Sequence, residues 1–163
     1  MKDIYQMAAE FRTAILKAKA NREFSGDGLI ERFPGGNCGI ACDLLGRYLL
    51  EQAGVRSWYT SGAIGSDSHV WLTLENGDIV DITGDQYKNR EGTLYYDLPV
   101  YVGKMDAFHS QFKTLMEQNP VAVAQTTVND ASLTVYENGY AVYEVDGAHT
   151  VMAVDRCGDC RYK

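Results

Sequence analysis

No apolar run in this sequence approaches the length needed to cross a bilayer, and no segment concentrates lysine and arginine. The first absence excludes a helical membrane span. The second, together with a net charge of −7, excludes a nucleic acid held through its phosphates. The opening residues Met1-Lys2-Asp3-Ile4-Tyr5 hold no apolar stretch leading to a small-residue cleavage site, so a soluble, cytoplasmic chain is expected. Proline is scarce, at three in 163 residues, and neither repeats nor low-complexity tracts occur, which leaves a folded domain as the default. With 45% hydrophobic residues the chain can bury a core without disulfides or metal. Of the four cysteines, Cys38 and Cys42 fall one helical turn apart, where disulfide geometry is poor, so all four are read as thiols. Cys157-Gly158-Asp159-Cys160 is a lone CxxC with neither a second ligand pair nor a thioredoxin-like context, so no metal and no cofactor is expected.

What is present begins with Ile4, Met7, Ala8, Phe11, Ile15 and Ala18, whose three- and four-residue spacing predicts an amphipathic helix. Glycines and a proline across residues 21–37 predict a loop. A second helix is expected from Cys38, with Ala41, Leu44, Leu45, Tyr48 and Leu49 on its apolar face and Gly54 as its stop. Residues 55–60 read as a strand, 62–68 as a polar turn and 69–83 as a β-hairpin around Asn76-Gly77. Further on, 98–102 reads as a strand and 105–117 as a short helix with Phe108, Phe112 and Leu115 inward. Segments 133–137, 140–145 and 149–154, joined at Asn138-Gly139 and Asp146-Gly147, predict a three-stranded meander. The expected division is a core over residues 1–125 and a small β unit over 126–163 that packs on it.

The chemistry lies in Phe33-Pro34-Gly35-Gly36-Asn37-Cys38-Gly39, in His69-Val70-Trp71 and in Asp81. With Asn37 as N-cap, Cys38 takes the first helical position, where unpaired N–H groups and the helix dipole favour a thiolate and can bind an oxyanion. The flanking Gly39 lets a substrate backbone approach.

Whether His69 and Asp81 can meet depends on the hairpin register. A two-residue turn makes facing residue numbers sum to 153, which sets Asp81 opposite Leu72 and away from His69. A three-residue loop, Glu75-Asn76-Gly77, with Gly77 in the left-handed position of a bulge, makes them sum to 152. Val70 then faces Ile82 and Leu72 faces Val80, which yields one uniformly apolar face. His69, Trp71 and Asp81 share the other face, with Asp81 diagonal to His69. Burial therefore selects the register that joins a base to its orienting carboxylate.

Residues 33–87 resemble the transglutaminase-like branch of the papain-like superfamily on three points: the helix-heading Cys38, the His69-Val70-Trp71 strand, and Asp81-Ile82-Thr83 on the next strand. The resemblance implies an α+β fold, with a papain- or transglutaminase-like core in which the nucleophile helix packs on an antiparallel sheet; a C-terminal β-meander follows. It also implies a thioester intermediate resolved by water or by an amine. Cys38, His69 and Asp81 would be catalytic, and Asn37, Gly39 and Trp71 would help bind the oxyanion or substrate. The expected activity is hydrolysis of an amide bond, of peptidase or deamidase type, in a protein, a peptide or a small amide. The alternatives are acyl transfer to an amine and a catalytically silent, protein-binding or inhibitory module. His149, with Asp155 as partner, is an alternative base. His109, on the expected helix among polar neighbours, reads as a surface residue. The tyrosines Tyr87, Tyr95, Tyr96 and Tyr101 suit either a peptide-binding wall or half-buried strands.

Overall fold

Helix α1 (Ile4–Ala20) buries the predicted stripe of Met7, Ala8, Phe11, Ile15 and Ala18, and Lys17 and Lys19 in its last turn complement the negative end of its dipole. Helix α2 (Cys38–Ala53) buries Ile40, Ala41, Cys42, Leu44, Leu45 and Leu49. It stops at Gly54, whose φ of 67° lets its N–H and that of Val55 close back on Leu50 and Leu49. This computed structural model describes residues 3–22, 30–118, 123–128, 131–136 and 141–143.

The helices pack on a five-stranded antiparallel sheet, an α+β arrangement, ordered β4 (Tyr101–Gly103), β3 (Ile79–Asp81), β2 (Asp67–Leu74), β1 (Ser57–Ile64) and β5 (Lys113–Gln118). Helix α2 lies against β1 and β2, and α1 against α2 and β4. Leu72 pairs with Val80 and Thr73 with Ile79, the register of the three-residue loop, and Gly77 at its end has φ 80°. Val70, Leu72, Val80 and Ile82 accordingly join the helices in one apolar cluster. Trp71 and Ile79 point the other way, into a second cluster with Tyr87, Tyr96, Phe108 and Phe112. Both faces of the central strands are therefore covered, and the second cover is mostly aromatic.

Several expectations change. Strand β1 runs on to Ile64 and β2 begins at Asp67, so the expected turn over 62–68 shrinks to Gly65-Ser66. The strand expected at 98–102 begins only at Tyr101. The helix expected over 105–117 does not form: a single short turn at His109–Gln111 leads into β5, which takes the open edge of β1. Phe108 and Phe112 are buried as expected, but Leu115 is 64% exposed on that strand. Pairing along a free sheet edge outweighs an apolar spacing that suits a helix equally well.

A separate three-stranded antiparallel sheet is ordered β6 (Val123–Val128), β7 (Ala131–Tyr136) and β8 (Ala141–Tyr143). Strands β7 and β8 match two of the meander strands. Strand β6 was not foreseen, and the third expected strand, 149–154, lies outside the described residues.

Arg12 of α1 ties these layers to the loops around Cys38. Its guanidinium makes two bonds to the Asp85 carboxylate, at 2.9 and 2.7 Å, and lies 5.3 Å from the centre of the Phe33 ring. Lys19 adds a 2.9 Å bond to the Phe33 carbonyl. One helix thus holds both the segment entering α2 and the turn leaving β3.

Candidate active site

Cys38 is the first residue of α2 and is half-buried. The Ala41 N–H bonds to the Asn37 carbonyl at 2.9 Å, so the N–H groups of Cys38, Gly39 and Ile40 precede the first intrahelical bond. The Asn37 side chain does not cap them, contrary to expectation. Its Nδ2 donates to the Gly35 carbonyl at 2.8 Å, and its Oδ1 is buried with no partner among the described residues. A Cβ at Gly39 would lie 2.9 Å from the Tyr59 hydroxyl of β1, so a larger residue there would displace the end of that side chain.

Cys38 lies close enough to His69 to favour the charged form of its ring, and His69 Nε2 lies 2.7 Å from Asp81 Oδ2. The predicted diagonal pair is therefore in contact, and both residues are sealed, at 0% and 1% exposure. Burial alone would depress the His69 pKa. The Asp81 charge, the hydrogen bond to it and the contact with Cys38 outweigh burial and push the pKa up to about 10. Asp81 shows the converse: burial would raise it, but the two imidazoles bonded to it hold it well below the usual carboxylate range. Its Oδ1 accepts from the Thr83 N–H at 2.8 Å and the Thr83 hydroxyl at 3.2 Å, which fixes the carboxylate plane. Gly84 gives this corner the room it needs, because a Cβ there would come within 2.9 Å of Asp81 Oδ2 and 2.7 Å of the Tyr96 ring.

The second imidazole on Asp81 belongs to His109, which is fully buried and not on the surface as its sequence neighbourhood suggested. Its Nε2 meets Asp81 Oδ2 at 2.9 Å and its Nδ1 meets Asp106 Oδ1 at 2.7 Å. Each ring nitrogen thus faces a carboxylate oxygen. Asp106 also accepts the His109 backbone N–H at 2.8 Å and the Tyr96 hydroxyl at 3.0 Å. Burial works against its charge, but these bonds hold its pKa down. A continuous line of polar contacts therefore runs from His69 through Asp81 and His109 to Asp106, with Cys38 beside its His69 end. Trp71, Tyr101 and Phe108 pack against the His109 ring at centroid distances of 5.2, 5.6 and 5.0 Å.

Comparison with protein-family models, with curated proteins and with solved structures found no match to this chain. The site is therefore read from its own geometry.

His69, Asp81 and His109 also have the composition of a metal-binding set, with their ligand atoms within 4.8 Å of one another. Both Nε2 atoms face the same Oδ2 at hydrogen-bonding distance, and all three residues are sealed from solvent. A metal would require both rings to surrender those hydrogens, and the set leaves no open position for a reacting ligand. The cluster satisfies itself as a hydrogen-bond network.

Of the other candidates, Trp71 is fully buried against His69 at a centroid distance of 5.9 Å with its Nε1 unpartnered, so it walls the base and reaches no substrate. Cys42 is buried, and burial followed by the Asp81 and Cys38 charges keeps its thiol protonated. His149, Asp155, Cys157 and Cys160 lie outside the described residues. Gln86, which the sequence reading passed over, places its Nε2 3.0 Å from His69 Nδ1 and its Oε1 3.4 Å from the Gly36 N–H. No helix among the described residues is long and apolar enough to cross a membrane.

Proposed function

We propose that this chain is a cysteine-dependent hydrolase of amide or related acyl bonds, with Cys38 as nucleophile, His69 as general base and acid, and Asp81 as orienting carboxylate. The reading rests on one observation: a half-buried cysteine heads a helix beside a sealed imidazole whose Nε2 is 2.7 Å from a buried carboxylate. Asp81 binds Nε2, so Nδ1 is the nitrogen left to exchange a proton with the thiol. His69, with its pKa raised, takes the Cys38 proton on Nδ1, and the resulting thiolate attacks the substrate carbonyl. The imidazolium then returns that proton to the leaving amine, and a thioester remains. Water, deprotonated by the neutral His69, releases the acid and frees Cys38. Transfer to an amine uses the same thioester and differs only in the acceptor. The likeness of residues 33–87 to transglutaminase-like enzymes supports this reading through the same three residues.

The test is alkylation of Cys38 by iodoacetamide across pH 4–9, resolved site by site by mass spectrometry, together with acylation by a p-nitrophenyl ester. Fast alkylation that persists below pH 7 and falls in His69→Ala and in Asp81→Asn, with an acyl adduct on Cys38, is the expected result. Labelling that rises only in the range of an ordinary thiol, is indifferent to both substitutions and gives no acyl adduct would leave a silent binding module as the better reading. Added primary amine that accelerates turnover and is incorporated into product would favour transfer over hydrolysis.

A further inference from the structure

The proposed reaction places negative charge on the substrate oxygen when sulfur attacks, and preorganised donors must face it. The first-turn N–H groups of α2 are available for this, but one side-chain donor is missing. Asn37 cannot supply it, because its Nδ2 is bound to Gly35 and the residue is 1% exposed. Trp71 is sealed behind the imidazole. Gln86 is different: it is partly exposed, and its amide bridges the two sides of the site, with Nε2 on His69 Nδ1 and Oε1 on the backbone N–H two residues before Cys38.

Both neighbours of Gln86 are anchored. Asp85 is held by the two bonds from Arg12, and the Tyr87 hydroxyl donates to the Ser68 carbonyl at 2.8 Å. The Gly36 contact sets the direction of the amide, since turning it over would face Nε2 against an N–H. In this direction Gln86 donates to Nδ1 of the neutral ring, the form in which Nδ1 is an acceptor. It is also the nitrogen that must receive the Cys38 proton. The two demands on it cannot be met together.

We infer that Gln86 is the side-chain donor of the oxyanion hole, and that proton transfer to His69 is what releases it for that role. As the thiol proton reaches Nδ1, that nitrogen becomes a donor and repels the Gln86 N–H. The thiolate then forms the S–C bond, and the carbonyl π pair becomes a lone pair on oxygen. The freed N–H turns to that oxygen beside the α2 first-turn N–H groups. On collapse the C–N bond breaks, the Nδ1 proton leaves with the amine, and Gln86 returns to the restored lone pair. The donor is thereby free before the step that creates the charge. This deepens the hydrolase reading and rests on it.

Two reactions of the same thiol separate the roles. Iodoacetamide alkylation displaces iodide at saturated carbon and creates no oxyanion, whereas acylation by a p-nitrophenyl ester does create one. Gln86→Met removes the donor with little change of length. Acylation is expected to fall about 100-fold, while alkylation holds or quickens because Nδ1 loses a competing donor. Gln86→Glu, which keeps the shape and places a carboxylate near the oxyanion, should lower acylation at least as far, and it decides the matter if the Met variant does not fold. Unchanged acylation in a folded variant overturns the inference and leaves the hydrolase reading standing. So does an equal fall in both reactions, which would make Gln86 a support for His69 alone. A wild type that is neither acylated nor alkylated in a His69-dependent way overturns both.

Discussion

Replacing His109 with Phe isolates what the second imidazole contributes. The ring contacts with Trp71, Tyr101 and Phe108 survive in kind, while both polar contacts vanish. Asp81, 1% exposed, would keep its bonds to His69 and Thr83 but lose one charge-assisted donor that water cannot replace, at about 2–3 kcal/mol. Asp106 has a side chain 22% exposed and recovers water, so its loss is smaller, about 1 kcal/mol. The sum, about 3–4 kcal/mol, is a large share of the stability of an ordinary domain. Urea unfolding at pH 7, followed by circular dichroism, measures it. Asp106→Asn is the control: its amide oxygen still accepts from His109, so a loss near 1 kcal/mol is expected. The acid limb gives a second readout. The folded pKa of Asp81 is depressed, so its contribution is present above the unfolded value near 3.9 and disappears as pH falls through the folded value. Without His109 that folded value rises, and the variant should unfold at a higher pH than the wild type. A loss under about 1 kcal/mol with an unmoved acid limb would refute the idea that His109 supports Asp81 electrostatically.

Three further outcomes are expected. The folded pKa of His69, about 10, lies above its unfolded value, so its contribution is complete below about pH 6.5 and fades as pH climbs toward 10; stability should decline over that window, and Asp81→Asn should flatten the decline. Arg12→Met strands the Asp85 carboxylate in a nearly closed site and should cost about 3 kcal/mol in urea unfolding, with slower alkylation of Cys38, whereas a neutral result would show that the two loops do not depend on α1. Gly84→Ala forces a methyl against Tyr96 and Asp81 Oδ2, so alkylation should lose its dependence on His69 and stability should fall by about 1–3 kcal/mol; normal alkylation in this variant would mean that the corner yields without moving the carboxylate.

The pairing of His69 with Asp81 was legible because alternation in Val70, Leu72, Val80 and Ile82 leaves one burial-consistent register, and register fixes which side chains share a face. Helix α2 was legible from its apolar spacing and from Gly54. His109 was not. Phe108 and Phe112, four apart, suit a helix as well as a turn entering a strand, and the edge of β1 that decides between them lies some fifty residues upstream. The Asp81 partner of His109 lies 28 residues upstream, also beyond any local signal. A local signal did exist, since Asp106 stands three residues before His109 and accepts its backbone N–H, the habit of an aspartate that opens a turn. Gln86 carried no signal, because a glutamine in a polar turn has meaning only once the imidazole beside it is known. The Asn37 cap failed because nearby Gly35 offers its carbonyl to the side chain first.

The grip of Arg12 on Asp85 and Phe33 has a dynamic consequence. Reactive loops usually belong to the least stable parts of a protein and open while the remainder stays folded. Here the segments on either side of Cys38 are fastened to a helix whose other contacts are the hydrophobic core. Their amide hydrogens should therefore exchange together with those of α1, as one cooperative unit. Access to the partly exposed cysteine would then not wait on either of these two segments melting.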